Sequence, residues 1–371
     1  MRLAFDIRGI GGDRGGKGIW TANVLETIFN SSPLNQYYLY TDKEIQNKYA
    51  SLAHVHVVKV EGRGFLWHWN CYKKMVTDKI EVFLATESYI IPFLHDPKKL
   101  KVGLVVHDLV AFKSPAKHQK KATWIEHITL KKAVQTSRWI FTVSESTQND
   151  LIERYPHYRL NEKMTVVYAG VRAEFLNQKP KTQRDEILKQ HSLDSDYLLM
   201  ASTLEPRKNI VGALEAYAEL SVELQKKYPL VIVGKKGWYF EEIFQKVIDL
   251  KLEKKVKFLG YVSDEDLASL MQGATAFLFP SFYEGFGLPI LEAMALGVPV
   301  ISSHNSSLPE VGGEAVHYVD PYDAKNMTEG MTKILENPAY RKQLIDKEVI
   351  QVKQFSWKKT ATRIMQSLVE K

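Results

Sequence analysis

The sequence predicts an α/β protein built from two similar, open, mostly parallel sheets joined by a polar linker. Three observations carry that prediction. Strand-length apolar runs alternate with helix-length segments through the first half of the chain. The alternation pauses at a polar stretch, residues 177–184, and then begins again. Finally, 371 residues suffice for two domains that each bury a core. Alternation of this kind puts helices on both faces of a parallel sheet.

In the first half, strands are expected at 2–7, 37–40, 55–60, 82–85, 101–106 and 139–142, each a short run of aliphatic, β-branched or aromatic residues. A turn with six glycines in ten residues, 9–18, leads from the first strand into a helix at 19–30, and a further helix is expected at 145–154. Residues 117–132 read as a basic helix with Trp124, Ile125, Ile128 and Val134 near one face. Residues 177–184 read as an exposed linker. Beyond it, strands at 197–201, 230–233, 256–258, 276–279 and 298–302 alternate with helices near 210–224, 238–250, 264–271 and 289–295. Two such sheets are expected to hold a ligand in the cleft between them. The expected divisions are 1–172, 173–354 and a C-terminal helix, 355–371.

Composition narrows the class. With 45% hydrophobic and 25% charged residues, the chain has the make-up of an ordinary globular protein. Its single cysteine, Cys71, cannot form an intrachain disulfide, which favours a reducing compartment and a buried thiol. The first acid, Asp6, comes too early for the apolar core of a signal peptide, and no apolar run approaches the roughly 18 residues that span a bilayer. A cytoplasmic location is expected. The net charge of +7 is uneven, because residues 1–180 hold 26 Lys/Arg against 17 Asp/Glu. Residues 98–139 alone hold ten basic residues and two acids. That patch suits an anionic membrane surface; a solvated basic face on a packed helix is the other reading. Nucleic acid is not expected, since no nucleic-acid module accompanies the patch.

The chemistry gathers in a few places. Glu284 and Glu292 flank Gly285, Phe286, Gly287, Leu288 and Pro289, where glycines permit close backbone approach and Pro289 suits a helix start ended by Gly297. Free N–H groups at that start would face an anion, with Glu292 in the first turn and Glu284 just outside it. Both carboxylates can accept hydrogen bonds from sugar hydroxyls. Alternatively, Glu292 complements the helix dipole and Glu284 is a solvated loop acid. Arg207 and Lys208 follow a strand and precede a helix, where positive charge is disfavoured unless an anion binds, so they are candidates to neutralise a departing diphosphate. His107 ends the strand at 101–106, again at a carboxyl edge.

Two lookalikes are set aside. The glycine-rich turn fits the first part of a P-loop, but Gly18 replaces the Ser/Thr that would hold magnesium. It reads as a mobile wall of the cleft or a flexible turn. Asp264-Glu265-Asp266 imitates a D-x-D metal motif, yet Ser263 before it reads as an N-cap with acids in the first helical turn. No Cys/His spacing suits zinc. No metal or other cofactor is expected.

Here the sequence resembles the retaining glycosyltransferases of family 4, which have the GT-B fold of two Rossmann-like domains facing each other across a cleft. Their E-x(7)-E signature matches Glu284 and Glu292, and the run Ala293-Met294-Ala295-Leu296-Gly297-Val298-Pro299-Val300 is equally typical. Further matches in the expected order are Val106-His107-Asp108-Leu109, Ala169-Gly170-Val171, Leu204-Glu205-Pro206-Arg207-Lys208-Asn209 and Leu308-Pro309-Glu310-Val311. The resemblance implies that His107 contacts the transferred sugar and that Glu284 binds its hydroxyls. It gives Glu292 the ribose, the amides of Phe286, Gly287 and Leu288 the sugar and phosphates, backbone near Tyr261 and Val262 the base, and Gly16 and Gly18 a place by the donor phosphates and acceptor. It also implies that the last segment crosses back onto the first domain. The function so implied is transfer of a hexose from a nucleotide diphosphate sugar to a glycan or lipid-linked acceptor in cell-surface polysaccharide synthesis. GDP-mannose is the first choice of donor, with UDP-glucose, UDP-galactose and N-acetylhexosamine donors open. A sugar phosphorylase, a nucleotide-sugar epimerase or a non-catalytic membrane-surface binding protein are the competing readings.

Overall fold

The computed structural model describes residues 1–10, 15–43, 49, 52–113, 120–193 and 196–369, with backbone alone for 120–123. Gly11, Gly12, Asp13 and Arg14 of the glycine-rich turn, and Lys117, lie outside the described residues. The chain divides into two compact units, residues 1–170 with 356–371, and residues 171–355.

Unit 1 runs β1 (Arg2–Asp6), α1 (Gly16–Ser31), β2 (Gln36–Thr41), β3 (Val55–Lys59), α2 (Gly64–Thr77), β4 (Val82–Ala85), α3 (Ile90–Leu94), β5 (Lys101–Val106), α4 (Val110–Lys113), α5 (Lys120–Thr136), β6 (Trp139–Thr142), α6 (Glu145–Arg154) and β7 (Met164–Val166). The strands form one parallel sheet in the order β3-β2-β1-β4-β5-β6-β7. Residues such as Ala4, Phe83, Leu104 and Ile140 are buried because helices cover the sheet. The order reverses between β1 and β4, so the crevice outside the carboxyl ends of those strands is the natural ligand site.

Two expectations for unit 1 need correction, and one strand is added. Helix α1 begins at Gly16, not at residue 19, so Gly16 and Gly18 are helical rather than part of a loop wall. On α5, Trp124 is 68% and Ile128 44% exposed, whereas Val134 is buried in the core beside Leu130 and Ala133. Val134 therefore does not share the face of Trp124. Edge strand β7 was not anticipated; it has three residues, each only partly buried.

Unit 2 repeats the plan with α7 (Lys181–Gln190), β8 (Leu198–Ala201), α8 (Ile210–Ala218), α9 (Val222–Lys227), β9 (Leu230–Val233), α10 (Glu241–Asp249), β10 (Val256–Gly260), α11 (Asp264–Gly273), β11 (Ala276–Phe279), α12 (Leu288–Ala295), β12 (Val300–Ser303), α13 (Leu308–Gly312), β13 (Val316–Val319), α14 (Ala324–Glu336) and α15 (Pro338–Gln351). Its parallel sheet has the order β10-β9-β8-β11-β12-β13, with the reversal between β8 and β11. The helix expected over 210–224 is two helices, because the Ser221 side chain caps α9 by accepting from the Leu224 amide. The expected linker is tied down: Gln178 Nε2 donates to the Leu296 carbonyl at 2.9 Å, and the Lys179 amide to Gln272 Oε1 at 2.9 Å.

The chain ends in α16 (Trp357–Val369), which belongs to unit 1 and packs on α1. Arg363 Nη1 donates to the Val166 carbonyl at 2.9 Å, and the Thr360 hydroxyl to that of Tyr168. The approach is close enough to require glycine at 170, where a Cβ would stand 2.4 Å from the Trp357 nitrogen.

Candidate active site

Both segments that carry the unit 2 site leave the sheet at its reversal. After β8 the chain turns through a 3₁₀ segment, Pro206–Lys208, and leaves it at Asn209 in a left-handed conformation, φ 55°. After β11 it runs through Glu284 to Gly287, whose φ of 107° suits glycine as the N-cap of α12. The two loops are stitched together: the Phe282 amide donates to the Arg207 carbonyl at 3.0 Å, and Arg207 Nη1 to the Tyr283 carbonyl at 2.8 Å. Ser307 Oγ donates to the carbonyls of Glu284, 3.0 Å, and Phe286, 2.9 Å, which fixes the loop from below.

Glu284 stands between the two cations, with Arg207 Nη1 at 2.7 Å on one carboxylate oxygen and Lys208 Nζ at 2.6 Å on the other. Arg207 also holds Glu205 at 2.7 Å. The anions that neutralise the basic pair are thus Glu205 and Glu284, rather than the pair standing as two uncompensated charges. Burial would raise the Glu284 carboxyl, but Arg207 and Lys208 bring it below its ordinary range. Burial and the neighbouring Arg207 push the Lys208 ammonium down, against the pull of Glu284. The result is a largely buried, charge-balanced set whose members are all held in position.

Glu292 lies at the fifth position of α12, just past the first turn where it was expected. Its carboxylate is 2% exposed and is gripped at two points by Arg172, Nε to Oε1 at 2.5 Å and Nη2 to Oε2 at 3.0 Å. The third guanidinium nitrogen, Nη1, lies 2.7 Å from Asp264. Burial pushes the Glu292 carboxyl above its ordinary range, and Arg172 pulls it only part of the way back. Ser263 caps α11, accepting from the Asp266 amide at 3.0 Å, so the first acid of the apparent metal motif serves as a counter-ion to Arg172. Tyr261, 66% exposed, and Val262, buried, follow β10 in the loop that leads to Asp264. Phe286 is buried against Phe355, and Leu288 opens α12. Sequence reasoning missed Arg172, Glu205 and Ser307.

In unit 1, His107 caps β5 and is buried. Its Nε2 lies 2.7 Å from the Thr86 carbonyl, which can only accept, so the proton sits on Nε2. Burial and nearby Lys17 push the imidazole down to about 4, so the ring is neutral at pH 7. Trp20 of α1 meets it edge-on at 5.3 Å. Gly16 is exposed and Gly18 buried in the first turn of the same helix. At the reversal between β1 and β4 the structure also gathers groups the sequence had not marked. Arg8 holds Asp6 at 2.6 Å and His68 at 2.9 Å, and burial and Asp6 push the Glu87 carboxyl up to about 7.

Comparison with known proteins matches residues 183–360 to the family described as glycosyl transferases group 1. The O-antigen chain mannosyltransferase B of Escherichia coli is 34% identical over 273 residues, 73% of this chain and 71% of that protein. The O-antigen chain mannosyltransferase RfbU of Salmonella typhimurium is 28% identical over 281 residues, 74% and 72% of the two chains. Among solved structures, WaaG, a glycosyltransferase involved in lipopolysaccharide biosynthesis, superposes with a TM-score of 0.79 over 100% of both chains at 14% identity. Anabaena HepE in complex with UDP-glucose does so with a TM-score of 0.78 over 99% of both at 18% identity. The fold is GT-B, two Rossmann-like parallel-sheet domains. The chain belongs to the glycosyl transferases group 1 family. It is therefore a glycosyltransferase, and the phosphorylase, epimerase and non-catalytic readings fall away.

Proposed function

We propose that this enzyme transfers mannose from GDP-mannose, with retention of configuration, to a growing lipid-linked saccharide in O-antigen-type polysaccharide synthesis. The observation that carries the reading is the Arg207–Glu284–Lys208 cluster beside the start of α12, at the reversal of the unit 2 sheet. Names of relatives, two of them O-antigen chain mannosyltransferases, support mannose and the glycan acceptor. In this reading an acceptor hydroxyl oxygen attacks the anomeric carbon as its bond to the phosphate oxygen breaks, and the hydroxyl proton passes to that phosphate. Arg207 and Lys208 stabilise the charge on the leaving diphosphate, and Glu284 orients the sugar hydroxyls and the two cations together. Glu292 takes the ribose, the loop at Tyr261 and Val262 the base, and the amides of Gly287 and Leu288 face the phosphates. Neutral His107 contacts the sugar, and Gly16 and Gly18 line the acceptor side. No metal is needed, since Asp264 is committed to Arg172 and two cations already serve the diphosphate. Association with the anionic face of a membrane through residues 98–139 would bring the enzyme to a lipid-linked acceptor.

The test is to incubate purified enzyme and a lipid-linked saccharide with GDP-mannose, UDP-glucose or UDP-galactose, with and without chelator, and to read the product linkage by NMR. An α-linked mannoside formed from the α-linked donor, and formed equally with chelator, is expected. Transfer only from a uridine donor, inverted configuration, or loss on chelation restored by manganese would overturn the respective part.

A further inference from the structure

We propose that Arg172 is a positioning residue of the donor site: its two-point grip holds Glu292 as an oriented carboxylate that accepts from the ribose of a nucleotide. The proposal rests on the reading of Glu292 as the ribose contact. A carboxylate offers about four lone-pair sites over its two oxygens. Arg172 takes one on each oxygen, through Nε and Nη2, and so leaves one on each. The two left over point outward to either side of the carboxylate, where a ribose hydroxyl, a donor, can meet one. A protonated carboxyl would present a donor at one of those places and meet one hydroxyl badly.

The rest of the geometry serves the same end. Arg172 is buried, lies over the Phe175 ring at 4.5 Å, and reaches Asp264 with its third nitrogen at 2.7 Å. One planar guanidinium therefore links α12 to the start of α11, directly after the loop that carries Tyr261 and Val262. The distance between the base loop and the ribose acceptor is set by a rigid fork, which lysine cannot reproduce. Without the guanidinium, burial and the neighbouring acids Asp264 and Glu174 would all favour the neutral form of Glu292.

The experiment measures binding of GDP, UDP and their 2′-deoxy and 2′,3′-dideoxy forms between pH 5 and 8.5 to wild type, Glu292→Gln, Arg172→Lys and Arg172→Gln, each checked for an unaltered circular dichroism spectrum. Wild type should prefer the ribose form by about tenfold to a hundredfold, the strength of hydrogen bonds to a charged acceptor. Glu292→Gln should lose that preference at every pH. Arg172→Gln should lose it as pH falls, and at a higher pH than wild type, because Glu292 then takes up a proton more readily. Arg172→Lys, which keeps charge without the two-point grip, should lose preference with little change in pH profile; it also keeps the question open to test if Arg172→Gln does not fold. Wild type indifferent to the ribose hydroxyls would overturn the ribose reading and this proposal with it. Preserved preference and a wild-type pH profile in folded Arg172 variants, with Glu292→Gln impaired, would overturn the proposal alone.

Discussion

Lys208 sits where a single substitution separates charge from architecture. Its ammonium is buried on Glu284 and over the Phe279 ring at 5.2 Å, yet Glu284 keeps Arg207 if Lys208 is removed. Lys208→Ala should therefore leave the loops in place while lowering kcat about 10²-fold or more, the effect of removing one preorganised group that stabilises developing charge. Near-normal turnover in a folded variant would show that this cation has no part in the chemistry. Glu348 poses the opposite case, a buried acid outside the site. Both its oxygens lack a hydrogen-bond partner among the described residues, and burial pushes the carboxyl up to about 9. The folded state then holds a proton that the unfolded chain releases in the ordinary carboxylate range, around 4.3. Stability contributed by that proton is whole below this range and is lost as pH climbs toward about 9. Glu348→Gln should flatten the fall in melting temperature between pH 5 and 9; an unchanged slope would place the titration elsewhere. At this scale the sequence marked Glu284, Glu292, Arg207 and Lys208 through their spacing and neighbours. It did not mark Arg172, because its partner is 120 residues away. The available signal was a lone arginine after Ala169-Gly170-Val171.

Among the elements, central strands were legible, as were the edge strands β3 and β10, but the edge strands β7 and β13 were not. Strands such as β4, β8 and β11 are buried along their whole length and read as unbroken apolar runs. The edge strands β7 and β13 have one neighbour each and carry partly buried residues, so their pattern fades into the flanking loops. Helix ends moved for local reasons, a serine cap at 221 and a helical first turn at Gly16. The element with an open question is α5. It shows Trp124 and Ile128 to solvent near the exposed Lys131 and Lys132, while Leu130, Ala133 and Val134 hold it to the core. No helix among the described residues is long and apolar enough to cross a membrane. Each basic residue near an anionic surface contributes about 1 kcal/mol, so replacing Lys117, Lys120, Lys121, Lys131 and Lys132 by glutamine should abolish sedimentation with anionic vesicles. Donor binding by unit 2 should be spared. Raised salt should release the native protein. Full sedimentation of the variant would leave α5 as a solvated basic face.

For the molecule as a whole, the division into units makes the last helix structural in one unit only. Helix α16 follows unit 2 in sequence but buries Thr360, Ala361, Ile364 and Leu368 within unit 1. Leu368 reaches the sheet at Gly103, where a Cβ would already be 3.7 Å from its methyl. Burying two aliphatic side chains is worth about 1.5–3 kcal/mol each, a large part of the roughly 5–15 kcal/mol that holds a domain folded. Ending the chain after Phe355 should therefore destabilise unit 1 and expose the faces of α1 and β6 that α16 covers. The residues proposed to hold the donor, Arg172, Arg207, Lys208, Glu284 and Glu292, all lie within unit 2, so nucleoside diphosphate binding should persist while transfer is lost. Calorimetry of the truncated chain should show an early transition lost or moved down by many degrees and a later one that still shifts upward with GDP or UDP. Loss of nucleotide binding together with the early transition would mean that unit 2 does not hold its donor site by itself. A milder version supplies the control. Gly170→Ala forces a Cβ to within 2.4 Å of the Trp357 nitrogen, so it should lower the same early transition without removing any side chain from either site.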